Sequence, residues 1–245
     1  MTLIYAHRGY RASFSENTMT AFIEAERAGA EGIELDVQLT KDGIPVIIHD
    51  EKVDRTTGIP GYVKNFTYKE IRQLNADFKK TSAKGTEPIP SLEEVLEWLT
   101  TTPLDCNIEF KNGVIPYSGL EEKSISLVRK FGLEERVILS SFNHYSVVHC
   151  YRIAPDLETA PLFAELIYKP WVYAKALGSK GIHPNHLYVS DEIIKDALSN
   201  GFAVRPYTVN REKDMERLFE AGCTSIITDN PALALEIRNK KGKRH

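Results

Sequence analysis

The sequence predicts an α/β fold, a TIM (β/α)8 barrel with a small insertion after the second strand. Apolar runs of strand length alternate with helical-period segments almost to the end of the chain, and eight such runs can be counted. Several helical segments are followed by a glycine at the position where a helix stops. The length of 245 residues suits one barrel of roughly 250 residues.

Taken in order, Leu3 to Ala6 is the first strand, followed by a helix over about Asn17 to Ala28 that turns Met19, Phe22 and Ile23 inward and stops at Gly29. Ile33 to Leu39 is the second strand. Lys41-Asp42-Gly43 reads as a tight reversal, and Pro45 to Asp50 as a return strand. From about Asp50 to Pro90 the rhythm breaks. Gly58, Pro60, Gly61, Gly85, Pro88 and Pro90 punctuate this stretch, with Tyr62, Phe66, Tyr68 and Phe78 between them, so 50–90 reads as an insertion in a single domain covering 1–245. Ser91 and Glu94 form a capping-box pair, and Leu92, Val95, Leu96 and Leu99 share one helical face. The other strands are Leu104 to Lys111, Val137 to Ser141, Thr159 to Phe163, Gly181 to His183, Ala203 to Val209 and Ser225 to Thr228. Two late helices, around Ile193 to Leu198 and Met215 to Phe219, run into Gly201 and Gly222.

A net charge of −3 and a pI near 6.2 carry no excess that attracts nucleic acid or an anionic membrane. Cys106, Cys150 and Cys223 are odd in number and lack CxxC spacing, which indicates neither a disulfide framework nor a thiolate metal site. The first residues leave no room for a signal-peptide core before His7, and no apolar run approaches the roughly 18 residues of a membrane span. A cytoplasmic location without stable membrane insertion is expected. Lys240 to His245 reads as a solvated basic end.

Side chains alternate along a strand, so Glu34, Asp36 and Gln38 share one face and Asn107, Glu109 and Lys111 share another. Two neighbouring strands thereby bring Glu34, Asp36 and Glu109 together. Clustered carboxylates repel, and one hard divalent cation, Mg²⁺ or Ca²⁺, is the simplest reason to keep three of them in one place. The alternative is a set of exposed or lysine-paired acids. His7 ends the first strand, on the side where barrels carry active sites, and the return strand brings His49 back toward the same acids. Two histidines can divide acid and base roles in phosphodiester cleavage, while Arg8 and Lys111 offset the phosphate charge. His144, His149, His186 and His245 lack such neighbours and read as structural or surface residues; His183, before Pro184, could line the barrel mouth.

These residues resemble the glycerophosphodiester phosphodiesterases. The resemblance rests on His7-Arg8-Gly9, Glu16-Asn17-Thr18, Glu34-Leu35-Asp36 through Lys41-Asp42-Gly43 to His49-Asp50, and Glu109-Phe110-Lys111. It continues through Ile89 to Glu94, Tyr207-Thr208-Val209-Asn210 and Thr228-Asp229-Asn230-Pro231, covering essentially the whole chain. It implies His7 and His49 as the acid-base pair, Glu34, Asp36 and Glu109 as metal ligands, and Arg8 and Lys111 as phosphate or supporting groups. It also implies that Glu16 and Asn17 lie near the site and that 50–90 forms a small cap. Tyr207 stands where the family usually has Trp, an aromatic wall with an added hydroxyl. The implied substrate is a small glycerophosphodiester, cleaved to an alcohol and sn-glycerol 3-phosphate. Other readings are a lysophospholipid phosphodiesterase on the same barrel, a non-catalytic phosphate-binding barrel, and a Schiff-base aldolase using Lys111, which the neighbouring carboxylates oppose.

Overall fold

The computed structural model describes residues 1–77 and 86–242; Phe78, Gly85 and the basic end from Lys243 to His245 lie outside the described residues. Nine strands are present among the described residues: β1 (Leu3–His7), β2 (Gly32–Leu39), β3 (Pro45–Ile47), β4 (Asp105–Phe110), β5 (Val137–Ser141), β6 (Glu158–Phe163), β7 (Gly181–Pro184), β8 (Ala203–Val204) and β9 (Ser225–Thr228). All but β3 pair in parallel, in the order β8-β7-β6-β5-β4-β2-β1-β9. Between the two end strands, Thr224 N donates to Val204 O (3.0 Å) and Ile227 N to Pro206 O (2.9 Å), so the ring is nearly closed. The expected (β/α)8 barrel is therefore the observed fold.

Ten α-helices among the described residues accompany these strands: α1 (Met19–Arg27), α2 (Asp54–Thr57), α3 (Tyr68–Ile71), α4 (Leu92–Leu99), α5 (Leu120–Lys130), α6 (His144–Ile153), α7 (Pro170–Ala176), α8 (Asp191–Ser199), α9 (Glu212–Ala221) and α10 (Pro231–Gly242). The apolar face of β2, with Ile33, Leu35 and Val37, packs in one core with Phe22 of α1, Leu92 and Leu96 of α4, and Leu120 and Val128 of α5. On the other side Ile182, Val204 and Ile226 share a core with Ile194, Met215 and Leu218. Burying each such side chain contributes roughly 1.5–3 kcal/mol before entropy is set against it. No helix among the described residues is long and apolar enough to cross a membrane.

Three boundaries differ from the sequence expectation, the first being the return strand, which ends at Ile47 rather than Asp50. The first helix begins at Met19 rather than Asn17, because Asn17 has a left-handed backbone (φ +57°) and Thr18 is the extended N-cap, accepting from Ala21 N. The strand expected over Ala203 to Val209 stops at Val204, where Pro206 and its neighbour Pro184 on β7 remove ladder donors. His183 does not line the mouth: it is fully buried in β7, and burial beside Arg205 holds its pKa well below the usual range.

The stretch after β3 carries α2 and α3, and its Ile48, Val53, Val63, Ile71 and Ile89 form a separate cluster with Val46 of β3. β3 returns antiparallel along β2, pairing Val37 with Ile47 and Leu39 with Pro45. Gln38 then fixes the loop beyond it, its amide donating to the carbonyls of Ile48, His49 and Asp50 (3.0, 3.0 and 2.7 Å). That buried side chain is what holds His49 over the barrel mouth.

Candidate active site

Glu34 and Asp36 are 2% and 1% exposed, and an oxygen from each lies within 4.8 Å of one from Glu109. Parallel pairing of β2 with β4 sets Asp36 directly opposite Glu109, so the alternation seen in sequence converges as expected. Burial, then the charges of Asp36 and Glu109, push the Glu34 pKa well above its usual value. Burial also works against an ionised Asp36, but Arg8, His49, Lys111 and the Asn17 amide outweigh it and hold its pKa down. Glu34 Oε1 and Asp36 Oδ1 are buried and accept no hydrogen bond. An all-oxygen trio with free lone pairs fits a hard divalent cation such as Mg²⁺ or Ca²⁺.

His7 and His49 flank the trio, and each is backed by a carboxylate. His7 Nδ1 lies 2.6 Å from Asp229 Oδ1, leaving Nε2 4.0 Å from Glu34 Oε2. His49 Nδ1 lies 2.7 Å from Asp50 Oδ1, and its Nε2 lies 3.2 Å from Lys111 Nζ. An ammonium can only donate, so these partners assign the His49 proton to Nδ1 and the lone pair to Nε2. Lys111 also donates to Glu109 Oε1 at 2.8 Å; Glu109 and Asp36 together raise its pKa against the cost of burial.

The loop after β1 is built on left-handed backbone. Arg8 has φ +55° and donates its backbone N–H to Glu34 Oε2 at 2.9 Å. Gly9 follows at φ +79°, so close to α1 that an added Cβ would sit 2.7 Å from Ala21. The Arg8 side chain donates to Glu16 Oε1 at 2.9 Å and lies 3.3 Å from Asp36. Asn17 Nδ2 donates to Asp36 Oδ2 at 2.9 Å. Glu16 is gripped by three arginines, Arg8, Arg11 and Arg55. Burial alone would raise its pKa, but these partners lower it to about 2.

Arg55 also reaches Asp50 and Arg11 reaches Asp229, so a charged chain runs from His49 through Asp50, Arg55, Glu16, Arg11 and Asp229 to His7. Sequence reasoning gives no site role to Asp50, Asp229, Arg11 or Arg55. The adjacency of His49 and Asp50 is a visible signal; the pairing of His7 with Asp229, 222 positions apart, is not. A cavity of about 360 Å³ opens above this chain, lined by Arg11, Ser15, Glu16, Arg55 and Asp229 among others. On the opposite side, Tyr207 donates its hydroxyl to Phe163 O at 2.9 Å and sets its ring edge-on to Phe142, with centroids 5.8 Å apart.

A (β/α)8 barrel with a buried carboxylate trio and two carboxylate-backed histidines at its mouth defines a hydrolase-type site, with polar groups converging where barrels carry their chemistry. Residues 7–233 match the model of the glycerophosphoryl diester phosphodiesterase family, and the chain belongs to that family. It is thus a phosphoric diester hydrolase. A glycerophosphodiester phosphodiesterase of Caldanaerobacter subterraneus subsp. tengcongensis is 44% identical, over 98% of this chain and 99% of that one. Among solved structures, a phosphodiesterase of Oleispira antarctica, in complex with the product sn-glycerol-3-phosphate, superposes with a TM-score of 0.86 at 26% identity, covering 98% and 97% of the two chains. A glycerophosphodiester phosphodiesterase of Agrobacterium tumefaciens gives a TM-score of 0.82 at 26% identity, over 96% of this chain and all of that one.

Proposed function

We propose that the protein hydrolyses small glycerophosphodiesters to an alcohol and sn-glycerol 3-phosphate, with one divalent cation and with His7 and His49 as its proton-transfer pair. The observation that carries this reading is the placement of two carboxylate-backed imidazoles beside the buried Glu34-Asp36-Glu109 trio. The product bound to the Oleispira relative supports the substrate class.

Glu34, Asp36 and Glu109 would hold the cation, Mg²⁺ or Ca²⁺, which would supply charge stabilisation to phosphoryl oxygens. Asp229 and Asp50 keep the Nδ1 proton of each histidine, so Nε2 is the exchanging nitrogen on both. One imidazole takes the proton lost by the attacking oxygen. The other protonates the alkoxide released as the P–O bond breaks, and one water is consumed overall. Lys111 and Arg8 offset the charge of the phosphate beside three carboxylates, and Asn17 and Glu16 hold Asp36 and Arg8 in place. Residues 50–90 act as a cap over a single domain spanning 1–245, and Tyr207 forms the facing wall of the substrate site. Three buried free thiols suit a reducing cytoplasm.

The test is release of glycerol 3-phosphate from glycerophosphocholine and glycerophosphoethanolamine, after EDTA treatment and after add-back of Mg²⁺ or Ca²⁺. Turnover that ceases with EDTA and returns with one ion is expected. Turnover indifferent to chelation refutes the metal role, and activity retained by His7→Ala or His49→Ala refutes the two-histidine assignment.

A further inference from the structure

A buried polar side chain holds its place against an apolar one only where something satisfies it. Among the described residues, Asn107 and His183 are the two with a pair of buried side-chain atoms that meet no hydrogen-bond partner. Both are 0% exposed. His183 lies on β7, which pairs with neither β2 nor β4, the strands that carry the carboxylate trio. Asn107 lies on β4, two residues before Glu109, and the parallel register sets it directly opposite Glu34.

Strand alternation turns the Asn107 carboxamide into the barrel. Its chain neighbours Cys106 and Ile108 belong to the core between sheet and helices, so Asn107 shares the inner face with Glu109. On its other side β5 sets Ile138 level with it, and Ile138 packs with Tyr5, Ala160 and Ile227. The Tyr5 hydroxyl is taken, donating to Asp105 Oδ2 at 2.6 Å. Of the two residues that the neighbouring strands place level with Asn107, only Glu34 is polar, and its Oε1 is buried and accepts no hydrogen bond. A carboxamide carries two N–H donors and one carbonyl oxygen, so it can donate to a carboxylate and offer an oxygen to a cation at once. A leucine, of similar size, would fill the position without stranding either group.

We infer that Asn107 is a fourth member of the cation site, its amide donating to Glu34 and its carbonyl oxygen facing the ion from the barrel side. This rests on the metal-dependent reading above. Three carboxylates leave room in the shell of about six to eight oxygens that Ca²⁺ takes, and amide carbonyls are ordinary ligands of that ion; Mg²⁺ keeps waters that such an oxygen can hold. Asn107 is thereby a positioning residue, acting on the reaction through Glu34 and the ion.

The experiment titrates EDTA-stripped protein with Mg²⁺ and with Ca²⁺ by isothermal calorimetry and records melting of the cation-free proteins, for wild type, Asn107→Leu, Asn107→Ala and Asn107→Asp. Asn107→Leu should bind the preferred ion roughly 10- to 100-fold more weakly than wild type. Its cation-free form should melt no lower, because two unpaired buried atoms have been removed. Asn107→Asp, which restores an oxygen and adds charge, should bind at least as tightly as wild type. Unchanged affinity in Asn107→Leu overturns the inference, as does an aspartate variant as weak as the leucine one. A role in packing alone would lower the cation-free melting temperature of Asn107→Leu and leave its affinity unchanged, which also overturns it. Should the leucine not be accommodated, Asn107→Ala carries the same comparison of affinities. Wild-type protein that binds neither ion marks failure of the metal-dependent reading itself, and the inference falls with it.

Discussion

Replacing Glu16 with Gln tests whether the charge of this arginine-bound carboxylate, rather than its shape, is what stabilises the rim of the site. Glu16 accepts from Arg8, Arg11 and Arg55, and its side chain is only 9% exposed. Its pKa falls from 4.5 to about 2, a difference corresponding to about 3 kcal/mol of native-state stability at neutral pH. The folded pKa is the depressed one, so this contribution is fully present above the unfolded value and is lost as pH falls through about 4.5 toward 2. Urea unfolding of wild type and Glu16→Gln should differ by about 3 kcal/mol at pH 7 and by less than half of that at pH 3. A gap that stays constant across this range refutes the linkage, because it assigns the loss to packing rather than charge. No gap at pH 7 refutes the whole account, since Arg8, Arg11 and Arg55 would then be equally satisfied by Asp36, Asp229 and Asp50.

Three further outcomes are expected. Asp50→Asn and Asp229→Asn each remove the acceptor that orders a histidine tautomer, and each should lower kcat on the order of 10²-fold with little change in KM, measured by steady-state kinetics, together with some loss of stability from the broken arginine pair. Gly9→Ala forces a Cβ into left-handed backbone and against Ala21, and thermal denaturation should show a loss of about 1–3 kcal/mol. Tyr207→Phe removes one of two hydrogen bonds to the Phe163 carbonyl, which still accepts from Asn185 N, and keeps the ring on Phe142, so stability should fall by no more than about 1 kcal/mol in thermal denaturation while turnover of glycerophosphocholine persists.

Features governed by local periodicity are legible in the sequence. The Glu34-Asp36 alternation, the Ser91-Glu94 capping box and the glycine stops at Gly29, Gly201 and Gly222 depend on neighbours a few positions away, and the structure shows each. Asp229 and Arg11 escape such reasoning because their meaning lies in closure of the barrel, which brings the loop after β9 against the loop after β1, and Arg55 because the segment after β3 folds back onto Glu16. His183 is misplaced because a strand-end histidine before proline looks the same in sequence whether it stands open at the mouth or is closed off from solvent beside Arg205.

The charges around the mouth explain why so many arginines surround an acidic pocket. Glu16, Glu34, Asp36, Asp50, Glu109 and Asp229 contribute six carboxylates, and Arg8, Arg11, Arg55 and Lys111 contribute four cations, leaving a net of −2 when all are ionised. The deficit is concentrated at Glu34, whose pKa is driven up by burial and by the charges of Asp36 and Glu109, and whose Oε1 accepts no hydrogen bond. Four of the six carboxylates, Glu16, Asp36, Asp50 and Asp229, are held ionised by basic or imidazole partners. The imbalance therefore has one outlet, the trio, and a divalent cation there would bring the mouth to neutrality before an anionic phosphodiester arrives. More arginines in place of the cation would neutralise the acids equally well, but they would leave no oxygen free and no centre for the phosphoryl group to approach.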